Sequence, residues 1–172
     1  MAVILVVASQ GFQSFEFTAI KTELERAGQV VLVASDKSPA TANDGSKVIP
    51  NLLLSAISPK DNTGLFLIGG PGALAHLDTE EFMIKIKEWA NSGKLFGAIC
   101  ISPRLLAKAG VLANKKITGW NLDDELPKIL TKYQAQYVPQ PVVRDGQVIT
   151  ADGPGSAMAF GREIARALKT TL

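Results

Sequence analysis

Residues Ala2-Val3-Ile4-Leu5-Val6-Val7-Ala8 form an unbroken apolar run dominated by branched aliphatic side chains. A run of this length without polar alternation is the pattern of a strand covered on both faces, the situation of a central strand in a parallel sheet. Parallel neighbours need a long crossover between them. The chain supplies one directly. A polar segment, residues 9–14, leads into Phe17, Ile20, Leu24 and Ala27 at helical spacing, Gly28 closes the helix, and Val30-Val31-Leu32-Val33-Ala34 makes the next strand. Such a strand–helix–strand unit crosses over right-handed. The alternation continues. Leu65-Phe66-Leu67-Ile68 reads as another buried strand and residues 80–92 as a helix burying Phe82, Met83, Ile86, Trp89 and Ala90. Residues 122–133 predict a helix with Leu122, Leu126, Ile129 and Leu130 inward, and residues 142–149 a hairpin turning at Asp145-Gly146. Residues 156–169 predict the last helix. Residues 48–54 read as edge strands, because Pro50 excludes a central place. The expected class is an α/β sandwich on a mostly parallel central sheet, with sites beyond the carboxyl ends of its strands.

A second stretch carries chemistry: Lys94-Leu95-Phe96-Gly97-Ala98-Ile99-Cys100-Ile101-Ser102-Pro103-Arg104-Leu105-Leu106-Ala107. It begins as a buried strand and ends in good helix formers after a Ser-Pro start. Cys100, the only cysteine, falls where strand gives way to helix. A nucleophile on such a turn is held in strained backbone with its side chain raised above the sheet. The turn requires small residues two positions to either side, here Ala98 and Ser102. The helix that follows turns its positive end toward the sulfur, so the expectation is a thiolate at neutral pH. Taken alone, a free cysteine is more often a small buried hydrophobe.

At 172 residues, the chain suits one domain, 1–172, with a sizeable core. A net charge of +2 with signs interspersed leaves no basic stripe, so no nucleic-acid partner is expected. The first apolar run is too short to span a membrane and lacks a basic leader. No membrane partner and a cytoplasmic location are therefore expected. One cysteine and one histidine exclude an intrachain disulfide and argue against a structural zinc site; neither metal nor cofactor is expected.

The remaining candidates each have a bland reading. Glu16, among Phe12, Phe15 and Phe17 near a helix start, complements the helix dipole; the same apolar neighbours would raise its pKa and let it exchange a proton with Cys100. Gly69-Gly70-Pro71-Gly72 matches no phosphate-binding spacing and reads as a tight turn, or as the place where the Gly70 amide joins that of Ile101 in an oxyanion hole. His76 reads as a surface or packing residue. Trp120 and Asn121 are pocket-lining candidates, while Asn121 as a cap and Asp123 and Asp124 on a helix dipole are the plainer assignment.

Taken in order, Gly11-Phe12-Gln13-Ser14-Phe15-Glu16, Gly69-Gly70-Pro71-Gly72, Ala98-Ile99-Cys100 with Pro103, Thr118-Gly119-Trp120, and Gly153-Pro154-Gly155 followed by Ala159-Phe160-Gly161 resemble the DJ-1/ThiJ/PfpI superfamily over essentially the whole chain. The likeness is nearest to the DJ-1/YajL branch. It implies a flavodoxin-like three-layer α/β/α sandwich and a homodimer. It implies Cys100 as reactive cysteine on a nucleophile elbow, Glu16 as its carboxyl partner, and Gly70 and Ile101 as oxyanion donors. It further implies action on a small reactive carbonyl or its adducts, as a glutathione-independent glyoxalase or protein deglycase. The alternative is redox sensing through oxidation of Cys100, or chaperone-like protection. Two departures bear on activity. Ile101 stands where the peptidase branch has a histidine after the nucleophile, and Gly119-Trp120 stands where other members place one. The first makes peptidase activity the weaker expectation, and both leave Glu16 as the base for a glyoxalase.

Overall fold

The computed structural model describes residues 1–170. In chain order the elements are β1 (Ala2–Val7), β2 (Gln10–Phe12), α1 (Ser14–Arg26), β3 (Val31–Ser35), β4 (Ala40–Ala42), β5 (Lys47–Val48), β6 (Leu52–Leu53) and β7 (Asn62–Leu67). Then come α2 (Ala73–Leu77), α3 (Glu80–Asn91), β8 (Leu95–Ile99), α4 (Pro103–Lys108), β9 (Lys116–Ile117), α5 (Leu126–Lys132), β10 (Gln136–Tyr137), β11 (Val142–Asp145), β12 (Val148–Ala151) and α6 (Ala157–Lys169). The main sheet runs β11-β12-β8-β7-β1-β3-β6, and every pair in it is parallel except β11 with β12. The expected flavodoxin-like sandwich is what the chain forms.

The two-residue period of the strands divides the core into two layers. Ile4, Val6, Leu65, Leu67, Phe96 and Ala98 face α2 to α5, while Val3, Leu5, Val7, Phe66, Leu95 and Ile99 face α1 and α6. Trp89 is buried from α3 and donates its indole N–H to the Leu95 carbonyl at 3.0 Å, tying the helix to the strand that ends at Cys100. On the other face Gly161 lets α6 lie directly on α1. A Cβ there would stand 2.9 Å from the Glu23 Cβ and 3.3 Å from the Ile20 Cα.

Three local expectations need correction. The segment at 9–14 is not all loop: β2 pairs with β4, and β4 with β5, in a small separate sheet. Residues 73–77, not foreseen as an element, form the short helix α2. The helix expected over 122–133 begins only at Leu126, and Leu122 is 86% exposed rather than inward. Pro127 sets the start, since its missing N–H is tolerated only in the first turn, and Asn121 Oδ1 caps the new terminus by accepting from Leu126 N at 2.9 Å. Among the described residues no helix is long and apolar enough to cross a membrane.

Candidate active site

The carboxyl ends of β7, β8 and β12 meet at Cys100. This residue leaves β8 with φ 63°, a left-handed conformation that a non-glycine side chain rarely takes. Four hydrogen bonds hold the bend. Cys100 N donates to Ala151 O at 3.0 Å, Trp120 N donates to Cys100 O at 2.7 Å, and Ser102 N donates to Ile99 O at 3.2 Å. Ser102 Oγ, fully buried, donates to Ile68 O at 2.7 Å. The small residue expected at 102 thus also staples the elbow to the end of β7. A strained turn held by this many bonds is over-determined, the condition for strain to persist.

Glu16 reaches the same point from the first turn of α1. It is fully buried, and its Oε2 accepts from the Gly69 amide at 2.9 Å. Its Oε1 has no hydrogen-bond partner by distance and angle, although the carboxyl lies close enough to the Cys100 thiol for each to alter the other's titration. Gly69 is required here, because a Cβ would stand 2.5 Å from the Cys100 Cβ and 2.9 Å from Glu16 Oε2. Gly70 follows with φ 115°, and a Cβ on it would meet Gln13 N and Gly11 O, each at 2.5 Å.

The charges settle differently from the sequence expectation. Burial raises Glu16 to about 7, against the opposing effects of the Gly69 amide and the Cys100 thiol. Burial also raises Cys100 to about 12, helped by the charge and hydrogen bonding of Glu16, while the amides of Ile101 and Gly70 pull it down. Burial and the neighbouring carboxyl thus push the sulfur toward the thiol, the direction opposite to the expected anion, while the two amides favour the anion. α4 is too weak a source of field to reverse this: it spans six residues and starts at a proline, which has no N–H to offer. What the site does present is a thiol, a carboxyl that titrates near neutrality, and two backbone amides directed at the sulfur.

Of the other candidates, Trp120 stands against the elbow through its amide, and Arg104 holds it from below. The guanidinium carbon lies 5.5 Å from the indole centroid, and Nη2 donates to Trp120 O at 3.4 Å and to Asp123 Oδ1 at 2.7 Å. Arg104 keeps the Asp123 carboxyl below its ordinary range, and the same carboxylate accepts from Glu125 N at 3.2 Å just before α5, so it serves the arginine as well as the helix start. Asn121 is both cap and wall, since with Trp120 it lines a cavity of about 510 Å³ beside the elbow. His76 lies elsewhere: its Nδ1 is 3.9 Å from Asp36 Oδ2, and it lines a different cavity with Lys37 and Ser55. Sequence reasoning missed the Gly69 amide, Ser102 Oγ as a staple, and Arg104. The Gly69-Gly70 pair was visible, but its acceptor lay 53 residues away in the chain. Among the described residues, no group of three or more His, Cys, Asp or Glu could hold a metal ion.

The family model described as DJ-1/PfpI family matches residues 1–167. A relative in Methanocaldococcus jannaschii, the uncharacterized protein MJ0967, is 32% identical over 97% of this chain and 82% of its own. The glutathione-independent glyoxalase DJR-1.2 of Caenorhabditis elegans is 26% identical over 96% of this chain and 88% of its own. The crystal structure of Drosophila melanogaster DJ-1beta superposes with a TM-score of 0.85 at 28% identity, covering 98% of this chain and 91% of that one.

Proposed function

The chain belongs to the DJ-1/PfpI family, and on that premise we propose that it is a cysteine-dependent enzyme of stress protection that converts reactive α-oxoaldehydes, or their adducts, to 2-hydroxy acids. The observation that carries this reading is the meeting of Glu16, fully buried and pushed up to a pKa of about 7 by that burial, with the Cys100 thiol, the amides of Gly70 and Ile101 facing the same sulfur. A base with that pKa is half ionised at neutral pH and is well matched to moving protons there. Glu16 takes the thiol proton as Cys100 Sγ attacks the aldehyde carbon, and passes it to the developing oxyanion, which the Gly70 and Ile101 amides stabilise. The hemithioacetal then loses its C–H proton to Glu16 and regains one at the neighbouring carbon. The carbonyl and hydroxyl thereby exchange places, and water hydrolyses the resulting thioester to release the acid. No external oxidant is needed, since one carbon is oxidised and its neighbour reduced. The likeness to a worm protein named as a glyoxalase supports the substrate class.

The test is conversion of methylglyoxal to lactate by the purified protein. Cys100→Ala is expected to abolish it and Glu16→Gln to slow it at least 100-fold, the usual scale of a lost proton-transfer group. Turnover that survives Cys100→Ala overturns the proposal.

A second reading, a sensor in which Cys100 oxidises to sulfinic acid, draws on the same two amides as stabilisers of the new oxygens. The raised thiol bears on both readings alike, because the thiolate is both the nucleophile and the form that oxidises readily. Intact mass after mild peroxide separates the two: added oxygen on Cys100 without aldehyde turnover favours the sensor. The homodimer that the family implies is likewise a proposal, tested by light scattering.

A further inference from the structure

The cavity beside the elbow is larger than methylglyoxal needs. It is an open groove of about 510 Å³ whose walls include Trp120, Leu122, Tyr137, Asp152, Pro154 and Ser156. Cys100 is not itself part of the lining, but the groove lies against its backbone: Trp120 N donates to Cys100 O, and Cys100 N donates to Ala151 O, one residue before Asp152. The two acidic and hydroxylic walls are bonded to each other, Ser156 Oγ donating to Asp152 Oδ1 at 2.5 Å. The indole, the phenol ring and the proline are left as the apolar lining, with the largely exposed Leu122 at the rim and the Asn121 amide beside them.

Trp120 is immobilised before any substrate arrives. Its amide is bonded to the elbow, its carbonyl to Arg104, and its ring lies over the Arg104 guanidinium, which is anchored in turn on Asp123. Arg104 sits four residues beyond the cysteine on α4, so one rigid unit carries both the nucleophile and the aromatic wall. Arg104 Nε is buried without a partner. Holding an arginine there carries a desolvation penalty that the stacking and the Asp123 pair offset. A fixed aromatic wall favours a flat apolar group, because neither surface has to be ordered on binding.

We infer that Trp120 is the specificity-determining residue of this site, that Arg104 is its positioning residue, and that the substrate's substituent is a flat apolar group rather than a methyl. The inference rests on the proposed α-oxoaldehyde chemistry and narrows its substrate class to the arylglyoxal type. A methyl group leaves most of the cavity to water, whereas an aryl group would displace that water against Trp120 and Tyr137.

The experiment compares phenylglyoxal with methylglyoxal on the full chain, read as mandelate and lactate formed, with Cys100→Ala subtracting any direct reaction with arginines. The ratio of kcat/KM for phenylglyoxal over methylglyoxal is expected to be at least tenfold in the wild type. It should fall about tenfold in Trp120→Ala and in Arg104→Met, and by less in Arg104→Lys, which keeps a cation under the ring. Thermal midpoints identify variants that fail to fold. A ratio that Trp120→Ala leaves unchanged in a folded protein overturns the inference while the proposed function stands. If the wild type turns over neither aldehyde, the proposed function fails. The pocket is then judged by equilibrium binding of mandelate against lactate: a preference lost in Trp120→Ala supports it, and equal binding overturns it.

Discussion

At Cys100 and Glu16 the polypeptide keeps two acids in a space that disfavours charge on either. Burial dominates both shifts, and the carboxylate adds to the thiol's. Glu16→Gln removes the charge and the acceptor, so it should lower the Cys100 pKa and speed alkylation by iodoacetamide at pH 8, even as turnover collapses. Parallel loss of alkylation and turnover would mean that the service of Glu16 as base to the thiol outweighs the charge it places beside the sulfur. Stability should respond in the opposite sense from a paired carboxylate. The Glu16 pKa rises from 4.5 to about 7 on folding, so the native state holds a proton that the unfolded chain has released. Its contribution is fully present below pH 4.5 and is lost as pH rises through 7, by an amount on the order of 3 kcal/mol. Urea unfolding of wild type against Glu16→Gln across that window should show the slope in the wild type alone. Gly69→Ala, whose methyl would collide with Cys100 and Glu16, is expected to cost about 1–3 kcal/mol. It should also abolish turnover in whatever fraction remains folded.

Among the elements, α1 matters for where it points as well as for what it buries. Its amphipathic face, Phe17, Ile20 and Leu24, was legible from spacing. That Glu16 turns inward from its first turn was legible only as a possibility, since an acidic residue there also suits the helix dipole on the surface. The close crossing of α6 over α1 depends on Gly161. Gly161→Ala should destabilise the fold by about 1–3 kcal/mol, measured by urea midpoint, unless the Glu23 stem gives way. For α5, periodicity misled. Leu122 fits the apolar face of a longer helix, but Pro127 and the Asn121 cap set the terminus at Leu126. Removing that cap with Asn121→Ala should cost about 1 kcal/mol.

For the whole molecule, the sheet order makes a graded prediction. β1, β7 and β8 lie between parallel neighbours and are buried on both faces, while β6 and β11 are edges. Amide hydrogen exchange should be slowest in the three central strands and fastest at β6 and β11, because opening an edge breaks one ladder and exposes little core. A uniform exchange profile would contradict the order. The run Ala2–Val7, the crossover after it and the strand-to-helix bend at Cys100 are local patterns, and local pattern is what a sequence carries directly. It therefore determined the parallel sheet, the elbow and the end of the sheet where the elbow sits. The burial of the sulfur against a carboxyl, the seat of Glu16 on the Gly69 amide and the clamp of Arg104 on Trp120 were decided by tertiary structure alone. Each is an energy of close approach or of burial between residues distant in the chain, and those quantities do not exist until the strands have paired.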